Sequence, residues 1–486
     1  MKYSSKMDFS RNHFILFFAS AILAACGGNT GNNASAPGTP EGKGDRVYTI
    51  SMNKICKEWD GQWQGMTVAS DGSCYFGSST HSKGHGAGFH RFDPSSWQHT
   101  MLAEDMTYVC GEQDTPSQQG KIHSPIVECD GWLYFTTHLS NYWKEGIENY
   151  AGAHVMGYNL QSGEFRDLGI VKPRYSIYSA IGVDPVRRKL YVFLVPFLDE
   201  LFEQDGCHLY SIDIDTCEKK DLGLVVPGRK GAAFWFFVDK GGDVWFSLWK
   251  KHYDYENDHG NLYVYRAGKD TIETFTDVLP KGKLIDGTPV SDETLLSQRC
   301  WTWLSPLPDR SKCYFTMGCL GGGDERLWLF DPSKDIASGE AFEEVASVGS
   351  TYFESAIGGD RFYFIQYEDL EDARTLFSED EREIDPDGTD YVDRKLHLRS
   401  ISLKEGDDHN LITDHGPVVD GEGRAARMIM SMAADDQGRV YTYGSWHVKS
   451  FKEATLQYLL FEYPNGDLYR LVKRGEFFAV IDTNAR

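Results

Sequence analysis

The 486-residue chain has no apolar run of the ~20 residues that a membrane-spanning helix needs. It also lacks any long stretch with apolar side chains at three- and four-residue spacing, which excludes a helix-based architecture. No Gly-x-Ser-x-Gly elbow, phosphate-binding loop or dinucleotide glycine pattern sits between a strand and a helix. Positive charge is scarce: 49 Lys and Arg against 72 Asp and Glu leave a net charge of −23. Binding a phosphate backbone wants a basic face, so the balance argues against a nucleic-acid partner. Any anionic ligand must then be met by a local group of Arg, Lys or His. Cysteines are sparse and irregular. Besides Cys26 there are nine, Cys56, Cys74, Cys110, Cys129, Cys207, Cys217, Cys300, Cys313 and Cys319. An odd number leaves at least one unpaired, and no dense disulfide framework is built from them. Cys207 and Cys217 are separated by near-extended chain of ~25 Å or more, too far to bond. Cys300 and Cys319 fall at two strand ends of one unit, placed to pair or to join a metal site.

The amino terminus carries an export pattern. Lys2, Lys6 and Arg11 precede the short apolar run Phe14 to Ala25, as in a signal peptide. The run ends in Leu23-Ala24-Ala25-Cys26, which resembles a bacterial lipobox; an ordinary secretory signal is the alternative. The resemblance implies cleavage before Cys26 and lipid attachment to its thiol. Residues 1–25 are then a lipoprotein signal peptide and 26–45 a lipid-anchored flexible tether, too poor in apolar side chains to fold. Gly27, Gly28 and Asn29 follow Cys26 in place of Asp, so the same resemblance implies the outer membrane or cell surface.

The remainder, 46–486, repeats one unit: an apolar strand, a tight polar turn, a strand opening on an aromatic, then a second hairpin. It reads Ser124 to Cys129, Asp130-Gly131, Trp132-Leu-Tyr134 in one copy and Asp184 to Lys189 turning into Leu190-Tyr191 in the next. Asp239 to Asp243 turns into Val244-Trp245, and the pattern returns before Tyr75, Tyr314, Tyr363 and Tyr441, seven copies in all. Four short strands about every 60 residues predict an all-β fold, a seven-bladed β-propeller, with six or eight blades the alternatives because the sixth unit is long. The strand Arg46 to Ile50 is placed to complete the last blade and close the ring.

Within each unit, with strands lettered A to D outward from the axis, the A–B and C–D turns are tight. The B–C connections are long: Leu139 to Ala153, Val195 to Gly206, Trp249 to His259, Tyr367 to Arg394, Ser445 to Ala454. They share a face with the starts of the A strands, and elaborated loops are where binding and catalysis usually lie. His123 stands at the start of strand A of the second blade, His138 at the end of strand B and His154 at the start of strand C. Aligning His123-Ser-Pro-Ile-Val with Tyr178-Ser-Ala-Ile-Gly puts Tyr178 at the equivalent point of the third blade. Arg174 precedes Tyr178; Arg229, with Lys230, and Arg299 precede the next two blades. The other histidine-rich patch is His81, His85 and His90, with His81 and His90 as first-blade counterparts of His138 and His154.

His, Tyr and Arg without a nucleophile motif suit β-elimination at a uronic acid: Arg neutralises the carboxylate and acidifies the neighbouring C–H, while His and Tyr move the protons. The stretch Lys121-Ile-His123-Ser through Leu-Tyr134-Phe-Thr-Thr-His138, then Tyr150-Ala-Gly-Ala-His154, is similar to the β-propeller polysaccharide lyases, most of all the ulvan lyases of marine bacteria. The similarity is best over blades two to four. It implies a carbon–oxygen lyase acting on an acidic polysaccharide, with His123, His138, Tyr178 and Arg174 catalytic and His154, Tyr150, Arg229 and Arg299 against the substrate; Arg229 rivals Arg174 as the neutralising group. No cofactor is demanded. A divalent metal, Zn or Ca, stays open, as in oligogalacturonide lyases, where histidines hold one. The competing readings are such a metal-dependent lyase, a carboxylate-using hydrolase, and a non-catalytic glycan-binding or sensing lipoprotein. The chain is expected to be a monomer that meets the membrane through its lipid alone.

Overall fold

In the computed structural model of the protein, the described residues are 47–140, 144–196, 207–226, 235–248, 260–280, 283–284, 301–317, 323–349, 351–372, 392–419, 426–446, 458–462, 468–472 and 476–484. They form seven antiparallel blades arranged as a β-propeller. Strand A of blade 1 is Met66–Val68, helped by Trp59–Gly61, which pairs with the same neighbour, Cys74–Thr80. Blade 2 runs through Val127–Cys129, Trp132–Thr136, His154–Asn159 and Phe165–Ile170. Blade 3 is Tyr175–Asp184, Lys189–Pro196, Cys207–Asp213 and Lys219–Val226. Blades 4 to 6 begin at Phe237, Trp301 and Thr351.

The last blade consists of Ala426–Ala434, Arg439–Trp446 and Glu476–Asp482, and its outer strand comes from the other end of the chain, Val47–Ser51. The register runs from Val47 opposite Ile481 to Ser51 opposite Phe477. This closes the ring as the early apolar strand predicts. Blade 7 also packs on blade 1, where Phe76 stacks on Phe478 with ring centres 4.3 Å apart.

The repeat has a physical basis in its turns. In blade 7, Asp435 accepts the Gln437 and Arg439 backbone N–H groups on one oxygen, and the Arg439 Nε–H and Tyr441 hydroxyl on the other. In blade 4, Asp239 accepts the Asp243 N–H and the indole N–H of Trp245 at 2.8 Å. Asp71 holds the Ser73 N–H and the Tyr75 hydroxyl in the same way. The recurring pair of a turn Asp and a strand-B aromatic is therefore a staple across the A–B turn. Each satisfied polar pair lets a large ring sink between blades.

Two expectations need correction. In blade 6, strands B and C extend as Arg361–Asp372 and Val392–Ser402, so the long connection expected from Tyr367 to Arg394 is partly ladder. His81 and His90 are not register counterparts of His138 and His154. Phe76 pairs with His90, whereas its blade-2 equivalent Phe135 pairs with Met156, an offset of two residues. Among the described residues helices are confined to single turns, Met52–Ile55, Met106–Val109 and Lys144–Glu148. Among the described residues no helix is long and apolar enough to cross a membrane.

Candidate functional site

Strand register places three residues at one level. Tyr75, Tyr134 and Tyr191 open strand B of the first three blades, opposite Thr67, Val127 and Gly182. Four residues back from each partner stand Trp63, His123 and Tyr178. Trp63 and His123 stack nearly parallel, centres 5.3 Å apart and planes inclined by 11°. The His138 ring follows at 5.7 Å from His123. His138 Nδ1 is hydrogen-bonded to the Ser176 hydroxyl of the blade 3 inner strand. The inner ends of blades 1, 2 and 3 thus meet through Trp63, His123, His138 and Ser176.

A two-stranded ribbon carries two of these groups. Gln119–Lys121 pairs with His138–Leu139, with Lys121 directly opposite His138. Lys121 is 2% exposed, and its Nζ lies over the Trp63 ring, 5.5 Å from the centre. His81 approaches Trp63 edge-on at 5.6 Å, and its Nδ1 is 2.7 Å from Asp60 Oδ1. Facing a carboxylate, Nδ1 holds the proton and Nε2 is the basic nitrogen. Burial, aided by the Lys121 charge and against the pull of Asp60, lowers the His81 pKa to about 4, so the ring is neutral at pH 7. The rings and the ammonium are buried: His123 is 1% exposed, His138 0%, His81 and Lys121 2%, and Trp63 9%.

His154 and Tyr150 lie in a second network. His154 Nδ1 bonds Asp167 at 2.8 Å and Nε2 bonds Glu112 at 2.9 Å, so both ring nitrogens are taken by carboxylates. Gln119 donates to the other Glu112 oxygen and accepts from the Tyr150 and Thr137 hydroxyls. This network ties the ribbon to blade 2 and leaves neither His154 nitrogen for a ligand. Arg174 is exposed, with a left-handed backbone at φ 67° and its N–H donated to Ala151 O. Tyr178 lies in the Tyr175–Asp184 strand two residues beyond Ser176, but its side chain is outside the described residues, as are Arg229, Arg299, Cys26, Cys300 and Cys319.

The sequence reading brings His123 and His138 to one place. It passes over Asp60, Trp63, Ser176 and the part Lys121 plays. Trp63 is signalled by the repeat, since extending the His123–Tyr178 alignment one blade back lands on it. Lys121 and Asp60 carry no such signal, because burial is what sets them apart and both look like ordinary loop charges in the chain. Among the described residues, no three His, Cys, Asp or Glu side chains converge to hold a metal ion. His90, in the other patch, is bonded to Ser78 and His99, and His85 Nε2 faces Cys56 Sγ at 3.5 Å.

The chain matches no protein-family profile. No curated protein matches it either. Among solved structures it is similar to an oligogalacturonate lyase in complex with manganese, at 13% identity and TM-score 0.47, over 92% of this chain and 97% of that one. It is similar to the oligogalacturonate lyase of Vibrio parahaemolyticus at 11% identity and TM-score 0.46, over 90% and 95%. A GH74 enzyme of Niastella koreensis aligns at 13% identity and TM-score 0.44, over 79% of this chain and 51% of that one.

Proposed function

We propose that the protein is a polysaccharide lyase that cleaves an acidic, uronate-containing polymer, ulvan by the resemblance of its sequence, through β-elimination. The observation that supports this best is the meeting of His123, His138, the Asp60–His81 pair and a buried Lys at the inner ends of three neighbouring blades. Such a group can take a proton, give one and stabilise negative charge without a nucleophile. In the reaction a base removes the proton on C5 of the uronate, and that electron pair forms the C4=C5 double bond. The C4–O bond breaks, and an acid protonates the departing oxygen. His123 and Tyr178 are the acid–base pair in this reading; Ser176 orients His138 beside them. The described residues do not fit a metal site, so no step is routed through one.

A positioned acid or base typically supplies ~10² to 10⁴-fold in rate. Tyr178→Phe and His123→Ala are therefore expected to lose most lyase activity, read as the absorbance of unsaturated uronate with ulvan, while keeping the wild-type melting midpoint. Tyr178→Phe deletes a single oxygen, so full activity in that variant removes Tyr178 from the mechanism. A second reading, a glycan-binding lipoprotein without turnover, is favoured by the burial of His123 and His138. The same assay separates the two, because a binder retains ulvan and releases no unsaturated product. In either reading the protein is held at the cell envelope by a lipid on Cys26.

A further inference from the structure

The acid–base pair leaves one demand of the reaction unmet, the charge that builds on the uronate carboxylate as C5 loses its proton. Of the arginines marked by the sequence, Arg174 is exposed to solvent, where its field is weakened by water. A buried cation is screened less by water and does this work better. Lys121 is opposite His138 in the ribbon register, and residues so paired present their side chains on the same side. Its ammonium lies over Trp63, the ring stacked on His123. Its charge is felt across the group, since it helps to hold His81 neutral.

A second, independent observation lies next to Trp63. Gln64 is 6% exposed, its backbone is left-handed at φ 61°, and neither its amide nitrogen nor its amide oxygen has a hydrogen-bond partner among the described residues. A buried amide with both ends unmatched is costly in a folded protein, and a ligand's polar groups can supply what it lacks. The next residue, Gly65, lies against the Ile122 carbonyl, so close that a Cβ there would sit 2.7 Å from it. The Trp63–Gly65 corner of blade 1 therefore abuts the Lys121–His123 segment of blade 2.

We propose that Lys121 and Gln64 form the carboxylate-binding corner of the site, Lys121 with its charge over the Trp63 ring and Gln64, the residue after Trp63, with its amide N–H. This rests on the lyase reading for its role in turnover, but the carboxylate preference stands by itself. The ammonium stabilises the enolate-like charge that the carboxylate takes up during elimination, so it acts mainly on the transition state.

The test uses the full chain and two probes, an ulvan oligosaccharide and the same oligosaccharide with its carboxyl groups reduced to alcohols. Wild type is expected to bind the acidic form at least about tenfold more tightly than the neutral one, as a charge-assisted contact implies. Lys121→Met should abolish that preference and lower kcat more than it raises KM; Lys121→Arg should keep the preference. Gln64→Met should weaken binding of the acidic form while its melting midpoint holds or rises, because an unmatched amide is lost. If Lys121→Met does not fold, Lys121→Gln gives the same readout with a polar side chain in place. An unchanged preference for the acidic form in Lys121→Met or Lys121→Gln overturns the inference, even where wild type turns ulvan over. Wild type that prefers the acidic form and makes no unsaturated product overturns the lyase reading and leaves the corner standing. Wild type that binds both forms equally overturns the corner outright.

Discussion

His154 shows how a histidine on the working face can be a structural part. Burial disfavours its charge, but hydrogen bonds to Asp167 and Glu112, and to the Cys110 thiol, more than offset this and raise its pKa to about 12. The folded-state value lies above the ~6.5 of an unfolded chain, so the stabilisation is fully present below pH 6.5. It is lost progressively as pH rises toward 12, at up to about 1.4 kcal/mol per pH unit. The stability gap between wild type and His154→Gln should accordingly narrow from pH 6.5 to pH 9.5 in urea melts. A gap that does not change with pH would mean that the ring is neutral in the folded protein. His81 behaves in the opposite sense, buried beside Lys121 and neutral at pH 7. The two residues are equally plain in the sequence. What separates them is the number of carboxylates that the fold brings to each ring, and distances of that kind lie between residues far apart in the chain: Glu112 is 42 positions from His154.

At the scale of the element, the blades are legible because their signal is local. A turn Asp, a strand-B aromatic and alternating apolar residues all fall within about ten positions, where spacing in the chain is spacing in space. The staple formed by Asp435 illustrates why the pattern recurs. Its carboxylate is 8% exposed and takes four hydrogen bonds, two from the turn backbone, one from Arg439 and one from Tyr441. Truncating it leaves a buried hydroxyl and a guanidinium unmatched, so Asp435→Ala should cost about 2–4 kcal/mol, measured by urea unfolding. Asp435→Asn, which keeps one acceptor oxygen, should cost less. Equal losses would assign the effect to charge rather than to the staple. Where the signal is not local, the sequence reading slips. The two-residue offset of His81 and His90 lies in the pairing of strands B and C, Phe76 with His90 against Phe135 with Met156, across a connection whose length differs from blade to blade. The ribbon that sets Lys121 against His138 interrupts the blade pattern altogether, and nothing in the spacing of the chain announces it.

For the whole molecule, closure of the ring decides how the anchor and the fold are related. A propeller whose last blade takes its outer strand from the opposite end of the chain has its ring closed covalently by that strand, here beside the packing of blade 7 on blade 1. Here Val47–Ser51 does so, with Tyr48 and Ile50 buried in the core that also holds Phe92, Tyr441 and Phe478. The polar segment 26–45 ends where this strand begins, so the proposed tether pulls on the closing strand and not on a loop of the working face. Two consequences can be separated. Cys26→Ser should release the protein from membranes into the soluble fraction with its melting midpoint and ulvan-dependent activity unchanged, because the substitution lies outside the closing strand Val47–Ser51. Removing the chain through Ser51 exposes the edge of Glu476–Asp482 and strips the apolar cover from Phe478. That truncation should melt well below wild type or fail to fold, as an open sheet edge invites pairing with other chains. Cys26→Ser protein that stays with the membrane would remove the lipid anchor. A truncated protein as stable as wild type would mean that the ring is shut by packing between blades 7 and 1, with the strand as an ornament to it.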